Sequence, residues 1–378
     1  MPSTIIPKAL ELGETIAFIS PSARLNDQMP AVMARATAVL TGQGYKVREL
    51  FSGPDTSIQA SIRTRLSEIR TAFSDPGISA IICTIGGSAF TELLPALIAD
   101  TDLHATIRAN PKIVVGYSDI TGFHWFLHAL TGLRTFYGPG AIPELGDVAP
   151  LPPPLIHNNN ISSDFEDPSS TPLAFCVKHL LRAITNRSNP LGPIPRSATY
   201  APRLAPFFAP GQAASTEAQP LAPNPGWVWL RRGRGQGRLF GGCLKVVARL
   251  AGVRAIAPDW RGRVVFLETA MGEDHESGHP LYRVQAGFAD LLAQGAFDGV
   301  AGLVIGRPFG YDGPEMREQY AGVITGLLCG RGKEGGEFPI LFGVDFGHTT
   351  PMVTLPFDAL AELDSEKDQF AVLEPGVI

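Results

Sequence analysis

Short apolar runs alternate with amphipathic stretches over the first 140 residues. Glu14 to Ser20 reads as a strand that ends at Pro21-Ser22-Ala23, and Lys46 to Leu50 as a second strand, with a helical segment over 28–43 between them. Ile62, Leu66, Ile69 and Phe73 recur at three- and four-residue intervals, which predicts a helix over 58–74. Residues 79–85 (SAIICTI) form an apolar run rich in β-branched residues, broken by Gly86-Gly87 before a helical segment through Leu93, Leu94 and Leu97. A further strand, Lys112 to Tyr117, runs directly into a helix-period segment from Ile120 to Leu130. Strands alternating with helices through short connections predict a mostly parallel α/β sheet.

The pattern changes after residue 142. Residues 143–225 hold about half of the chain's 33 prolines, which predicts a long, partly irregular connection with one helix near 172–185. A second globular block opens near Trp227. It carries Gly241-Gly242 before a helix through Leu244, Val247 and Leu250, a strand at 263–268, a helix at 281–294, and strands at 300–306 and 339–344. The expected division is therefore a first α/β domain over 1–142, a connection over 143–226 and a second domain over 227–378. No internal repeat is visible.

Length and charge narrow the function. A chain of 378 residues can bury two cores, and a net charge of −5 supplies no basic field for a nucleic-acid polymer. The one basic cluster, Arg231-Arg232-Gly233-Arg234, is short and reads as a solvated turn. The first residues show no basic segment followed by a continuous apolar one, and no run reaches the length of a membrane span. The four cysteines are far apart and form no C-x-x-C pair. The expectation is a cytoplasmic protein in a reducing setting, with no membrane partner.

Candidate chemistry concentrates at strand ends. Ser118 lies at the bend between the strand Lys112–Tyr117 and the helix that follows, the setting of a nucleophile elbow, although the local sequence Gly116-Tyr117-Ser118-Asp119 is not G-x-S-x-G. The same serine could instead cap the helix. His348, in DFGHTTP after a buried strand, suits a general base by its intrinsic pKa, or is a structural loop histidine. Glu268 ends the strand VVFLE, where a carboxylate either orients a histidine or is solvated. Gly86-Gly87 lets a backbone N–H approach an oxyanion, or is a plain turn; Asp119 N–H is the natural second donor. His124 and His128 share a helix face at i, i+4, but no glutamate or third ligand accompanies them, and their apolar neighbours point to a packed helix. Trp227 and Trp229 could stack a base, or open the core of the second domain.

In order along the chain stand GETIAFISPSA, TIGGSAFTELLP, KIVVGYSDITGFHWFL, FYGPG, GRLFGGCLKVVARLAG, VVFLETA, GVAGLVIGRPFG and PILFGVDFGHTTPMVTLPF. This set resembles the LD-carboxypeptidase family of serine peptidases (family S66), which includes the microcin C self-immunity peptidases. The resemblance implies Ser118 as nucleophile, with Glu268 and His348 completing a Ser-His-Glu triad. It also implies backbone N–H groups of Gly87 and Asp119 as oxyanion donors. The implied fold is a Rossmann-like N-terminal domain plus a C-terminal α/β domain with a β-barrel-like core, the cleft lying between them. Homodimers are common in the family, and no cofactor or metal is implied.

The chain departs from the family at three places. It has Gly241-Gly242-Cys243 where Gly-Gly-Asn is frequent, Val284-Gln285-Ala286 where many members carry an Asp-Arg pair, and Ile85-Gly86-Gly87 where murein-directed members have Arg-Gly-Gly. Ile-Gly-Gly is closer to the microcin immunity branch. The expected activity is hydrolysis of an amide bond in a small peptide-derived substrate, with a peptidyl- or aminoacyl-nucleotide favoured over the L,D-peptide bond of a muropeptide. Specificity is expected in the 143–225 connection and the loop Met271–Pro280. The rival of another class is a non-catalytic α/β protein that closes on a small ligand.

Overall fold

A computed structural model describes residues 2–53, 56–157, 160–161, 171–330 and 337–378; part of the Pro-rich connection, 162–170, lies outside the described residues. The first sheet is built from β1 (Thr15–Ile19), β2 (Lys46–Leu50), β3 (Ala80–Cys83), β4 (Ile113–Gly116) and β5 (Phe136–Tyr137). Helices α1 (Pro30–Gly42), α2 (Ile58–Ser74), α3 (Leu94–Ala99), α4 (Thr101–Ala109) and α5 (Thr121–Thr131) connect these strands. All pairings among β1 to β5 are parallel. The side chains of the inner strands β1, β3 and β4 are correspondingly apolar on both faces: Ile16, Phe18, Ile81, Ile82, Val114 and Val115 are fully buried, while the edge strand β2 is largely exposed.

The second sheet has eight strands. It is formed by β6 (Gly192–Pro193), β7 (Val228–Arg231), β8 (Arg234–Cys243), β9 (Arg263–Glu268), β10 (Gly302–Gly306), β11 (Ile340–Val344), β13 (Leu360–Asp364) and β14 (Gln369–Val372); β12 (Leu355–Pro356) leaves it to pair with β5 at the edge of the first sheet. The spatial order is β7-β11-β10-β9-β8-β13-β14-β6, with β11, β10, β9 and β8 parallel and the remaining pairings antiparallel. Helices α7 (Leu244–Leu250), α8 (Leu281–Ala293) and α9 (Pro314–Leu328) cover it. The chain is thus two α/β units, and the parallel core of the first is the one that the periodicity predicts. Among the described residues no helix is long and apolar enough to cross a membrane.

The Pro-rich segment is more than a tether. Its helix α6 (Pro172–Thr185) falls where the pattern predicts and buries Leu173, Phe175, Val177, Leu180 and Leu181. Strand β6 joins the second sheet. Ser197, Asn224 and Trp227 all donate hydrogen bonds to the buried carboxylate of Asp345, which also pairs with Arg307. Asp345 opens the loop that carries His348, so the connection is fastened to that loop.

The two units meet through α5 and the end of β8. Trp125 donates its indole N–H to the Gly241 carbonyl at 2.9 Å, and Cys243 N–H donates to Thr121 Oγ1 at 3.1 Å. A Cβ at Gly242 would lie 2.4 Å from the Thr121 side chain, so the close approach requires glycine there. The C-terminal ends of β3, β4, β9 and β11 consequently converge on one seam, where sites form in parallel α/β sheets.

Candidate active site

Ser118 follows β4 after a single residue. Its φ is +63°, a conformation unfavourable for a non-glycine residue and one that a nucleophile elbow imposes. Both of its backbone groups are held: Ser118 N–H donates to the Tyr137 hydroxyl at 3.2 Å, and Thr121 Oγ1 donates to the Ser118 carbonyl at 2.6 Å. The Ser118 hydroxyl does not cap the following helix. It lies 2.9 Å from His348 Nε2, and His348 Nδ1 lies 2.7 Å from Glu268 Oε2. The structure therefore brings together three residues that are 80 and 150 positions apart in sequence.

Glu268 is 1% exposed and hydrogen-bonded to His348, so it is not a solvated strand end. Its Oε1 accepts the Tyr137 hydroxyl at 2.6 Å. Burial opposes its ionisation, but the charge and hydrogen bond of His348, with further hydrogen bonds from Tyr137 and Cys243, outweigh burial and hold the carboxyl below its ordinary range. An ionised Glu268 facing Nδ1 fixes the proton on that nitrogen and leaves Nε2 to accept from Ser118. Burial, and then the neighbouring carboxylate, push the Cys243 thiol and the Tyr137 hydroxyl up, so both stay protonated donors.

The Gly86-Gly87 loop lies directly over the serine. A Cβ on Gly86 would fall 2.5 Å from Ser118 Cβ and 3.3 Å from Asp119 N. Gly87 has φ +135° and backs onto Ser22 and Ala23. The Asp119 carboxylate, almost fully buried, ties this region together: Oδ2 accepts from Ser22 Oγ at 2.6 Å and Phe90 N–H at 2.9 Å, and Oδ1 pairs with Arg249 at 2.7 Å. The backbone N–H groups of Gly87 and Asp119 thus belong to two segments packed around Ser118.

A cavity of about 760 Å³ opens above Ser118, within the range of small-ligand sites. The connection lines it with Arg203, Leu204, Phe208 and Gln219, and the loop after β9 with Met271 to His275, Ser277, His279 and Pro280. Lys245 and Arg283 add positive charge, the latter paired with Glu273 at 3.1 Å. Both segments expected to carry specificity line this space. Trp227 and Trp229 do not: their indole N–H groups bond Asp345 and Asp368.

The remaining candidates are structural. His124 bonds Gly116 O and Thr135 Oγ1, each at 2.9 Å, and burial lowers its pKa to about 4. His128 faces Asp358 instead, so the two histidines do not converge. Arg231 and Arg234 flank the short connection from β7 to β8 and bond Phe338 O and Glu362. Among the described residues one group has the donor set of a metal site, Cys243, Glu268 and His348, with ligand atoms within 4.8 Å of one another. Those donors are engaged with each other by hydrogen bonds.

Two residues around the site had no part in the sequence reading. Tyr137 sits in the FYGPG stretch, and Glu144, buried nearby, accepts the Tyr117 hydroxyl at 2.7 Å and Gly140 N–H at 3.0 Å. A hydroxyl-bearing ring within a buried aromatic run needs a polar partner, and that was the available signal.

Family models for the N-terminal and C-terminal domains of LD-carboxypeptidase match residues 16–138 and 236–363. The chain is 26% identical over 376 residues to the microcin C7 self-immunity protein MccF of Escherichia coli, covering 98% of this chain and 96% of that one. It is 25% identical over 378 residues to a Bacillus subtilis protein named "Probable murein peptide carboxypeptidase", covering 98% and 95%. Its fold superposes on MccF in complex with aspartyl sulfamoyl adenosine with a TM-score of 0.80 at 24% identity, over 99% of this chain and all of that one. With both domain models matched in order along one chain, the protein belongs to the LD-carboxypeptidase family of serine peptidases.

Proposed function

We propose that Ser118, His348 and Glu268 hydrolyse an amide bond in a small peptide-derived substrate through an acyl-enzyme. The observation that carries this reading is the unbroken hydrogen-bond chain from Ser118 Oγ through both ring nitrogens of His348 to Glu268, with the serine on a strained elbow. His348 Nε2 takes the Ser118 proton as Oγ attacks the carbonyl carbon. The oxyanion that forms is met by the N–H groups of Gly87 and Asp119. Glu268 stabilises the imidazolium, which then protonates the leaving amine at Nε2. Water, deprotonated by His348, cleaves the ester and restores Ser118.

Among small substrates the reading favours a peptidyl- or aminoacyl-nucleotide. A cavity of about 760 Å³ accommodates a molecule larger than a dipeptide, and Lys245 and Arg203 bring positive charge toward an anionic linkage. Ile85-Gly86-Gly87 and the likeness to MccF, solved with aspartyl sulfamoyl adenosine, point the same way. A muropeptide L,D-bond is the second reading, favoured by the likeness to the Bacillus subtilis protein. The reading also carries a cytoplasmic homodimer, which sedimentation and fractionation would test.

Fluorophosphonate labelling of wild type and Ser118→Ala tests the nucleophile: label on wild type alone supports it, and a folded wild type that neither labels nor hydrolyses any substrate refutes it. Side-by-side incubation with a muropeptide tetrapeptide and an aminoacyl sulfamoyl adenylate tests the substrate. Faster release of the amino acid from the adenylate is expected; the reverse order assigns the protein to muropeptides.

A further inference from the structure

We infer that Tyr137 is a positioning residue that couples the nucleophile to the triad carboxylate across the seam between the two units. The inference rests on the reading of Ser118, His348 and Glu268 as a triad, and extends it to a residue outside that set.

The direction of each bond follows from proton count. Ser118 N–H can only donate, so the Tyr137 oxygen accepts it at 3.2 Å. The single hydroxyl proton of Tyr137 is then free for Glu268 Oε1, 2.6 Å away, and an ionised carboxylate can only accept. With Oε1 occupied, Oε2 is left to His348 Nδ1 at 2.7 Å. One hydroxyl therefore fixes which carboxylate oxygen faces the imidazole, and so how that ring presents Nε2 to Ser118.

The same hydroxyl supports the elbow. A residue at φ +63° persists only where its surroundings over-determine it. Tyr137 and Thr121 hold the N–H and carbonyl of Ser118, and Tyr137 is itself fixed. It lies on β5, in register with Gly116 of β4 on one side and Leu355 of β12 on the other. Its ring packs against Phe266, Phe346 and Phe357, all fully buried residues of the second unit. A hydroxyl on so rigid a ring sets a distance between the two halves of the site that neither half sets alone.

The test is Tyr137→Phe, which keeps the ring and its packing. A hydrogen bond to a charged group, if it acts in the transition state, corresponds to roughly tenfold to a hundredfold in rate. The expected result is a kcat lower by that factor with KM within about twofold, and an unchanged circular-dichroism spectrum. 3-Fluorotyrosine at position 137, which retains the hydroxyl, should restore most of the rate. In a Glu268→Gln background, followed by the rate of fluorophosphonate labelling, the Tyr137→Phe loss should shrink at least threefold, because part of its target is gone. Equal losses in the two backgrounds, no loss in the single variant, or a fluorotyrosine variant as slow as Tyr137→Phe would each overturn the inference. If wild type itself neither labels nor turns over substrate, it is the triad reading that fails.

Discussion

Replacing Gly86 by alanine perturbs the site at its narrowest point. The added Cβ would sit 2.5 Å from Ser118 Cβ and 2.7 Å from its Oγ. Carbon–carbon contacts settle near 3.5–4.0 Å, so the two segments must separate by about 1 Å. Neither side yields easily. Ser118 is held through its N–H and carbonyl, and the Gly86 carbonyl accepts Ala23 N–H at 2.9 Å. A misplacement of about 1 Å lowers rates on the order of 100-fold, and loss of one oxyanion donor about 100- to 1000-fold, or roughly 2.7–4 kcal/mol of transition-state stabilisation. Gly86→Ala should therefore lower kcat/KM by about two to three orders of magnitude. Steady-state kinetics with an aminoacyl sulfamoyl adenylate, fluorophosphonate labelling rates and thermal melts separate this from unfolding. Gly252→Ala serves as control, because a Cβ there meets nothing within 4 Å and its φ is not positive. If Gly86→Ala kept its rate within about threefold of wild type while Gly252→Ala did the same, the 86–87 loop would not be shaping the oxyanion site.

Further expectations follow from charge and burial. Glu268→Gln should keep the fold and lower kcat by roughly 10⁴-fold, as when a triad acid is made an amide elsewhere; near-full turnover would remove Glu268 from the mechanism. Because the folded carboxyl of Glu268 lies below its ordinary 4.5, it contributes stability above that pH and loses it as pH falls through the lowered value, so Glu268→Gln should flatten the acid limb of Tm against pH. Glu144 has the opposite sign. Burial raises its pKa from 4.5 to about 7, so stability declines as pH rises between these values, by at most about 1.4 kcal/mol per pH unit, and melts of Glu144→Gln should lack that slope. Asp345→Ala leaves the buried Arg307 unpaired and frees Ser197, Asn224 and Trp227, and should destabilise by about 3–5 kcal/mol in urea titrations; a change under about 1 kcal/mol would show that the connection is not fastened there.

The first sheet was legible because its inner strands β1, β3 and β4 are buried on both faces. Ile16 to Ile19, Ala80 to Cys83 and Ile113 to Val115 are continuous apolar runs between helix-period segments, a pattern that admits few other folds. The second sheet was harder to read. Its longest strand, β8, is RGQGRLFGGC, with four glycines in ten residues, and glycine is depleted in strands. Tertiary packing overrides that preference here: β8 lies between β9 and β13 and is held by pairing on both edges. The edge strand β7 is only four residues long, VWLR, and pairs with β11 far along the chain, so no local pattern marks it.

The site divides along the same physical line. Ser118, Glu268 and His348 each end or follow an apolar strand, so a sequence pattern marks their positions, and their order matches a family. What no pattern marks is the geometry that makes them one unit. Ser118 reaches His348 because α5 docks on the end of β8 at Gly242, which sets the first sheet beside the second. That docking also brings Tyr137, on a two-residue strand with no periodicity of its own, within hydrogen-bonding distance of both Ser118 N and Glu268. Residues that react are recognisable one at a time, since each needs a particular functional group at a strand end. Residues that align them are defined only by distances across a seam, and those distances exist after both sheets have folded and met.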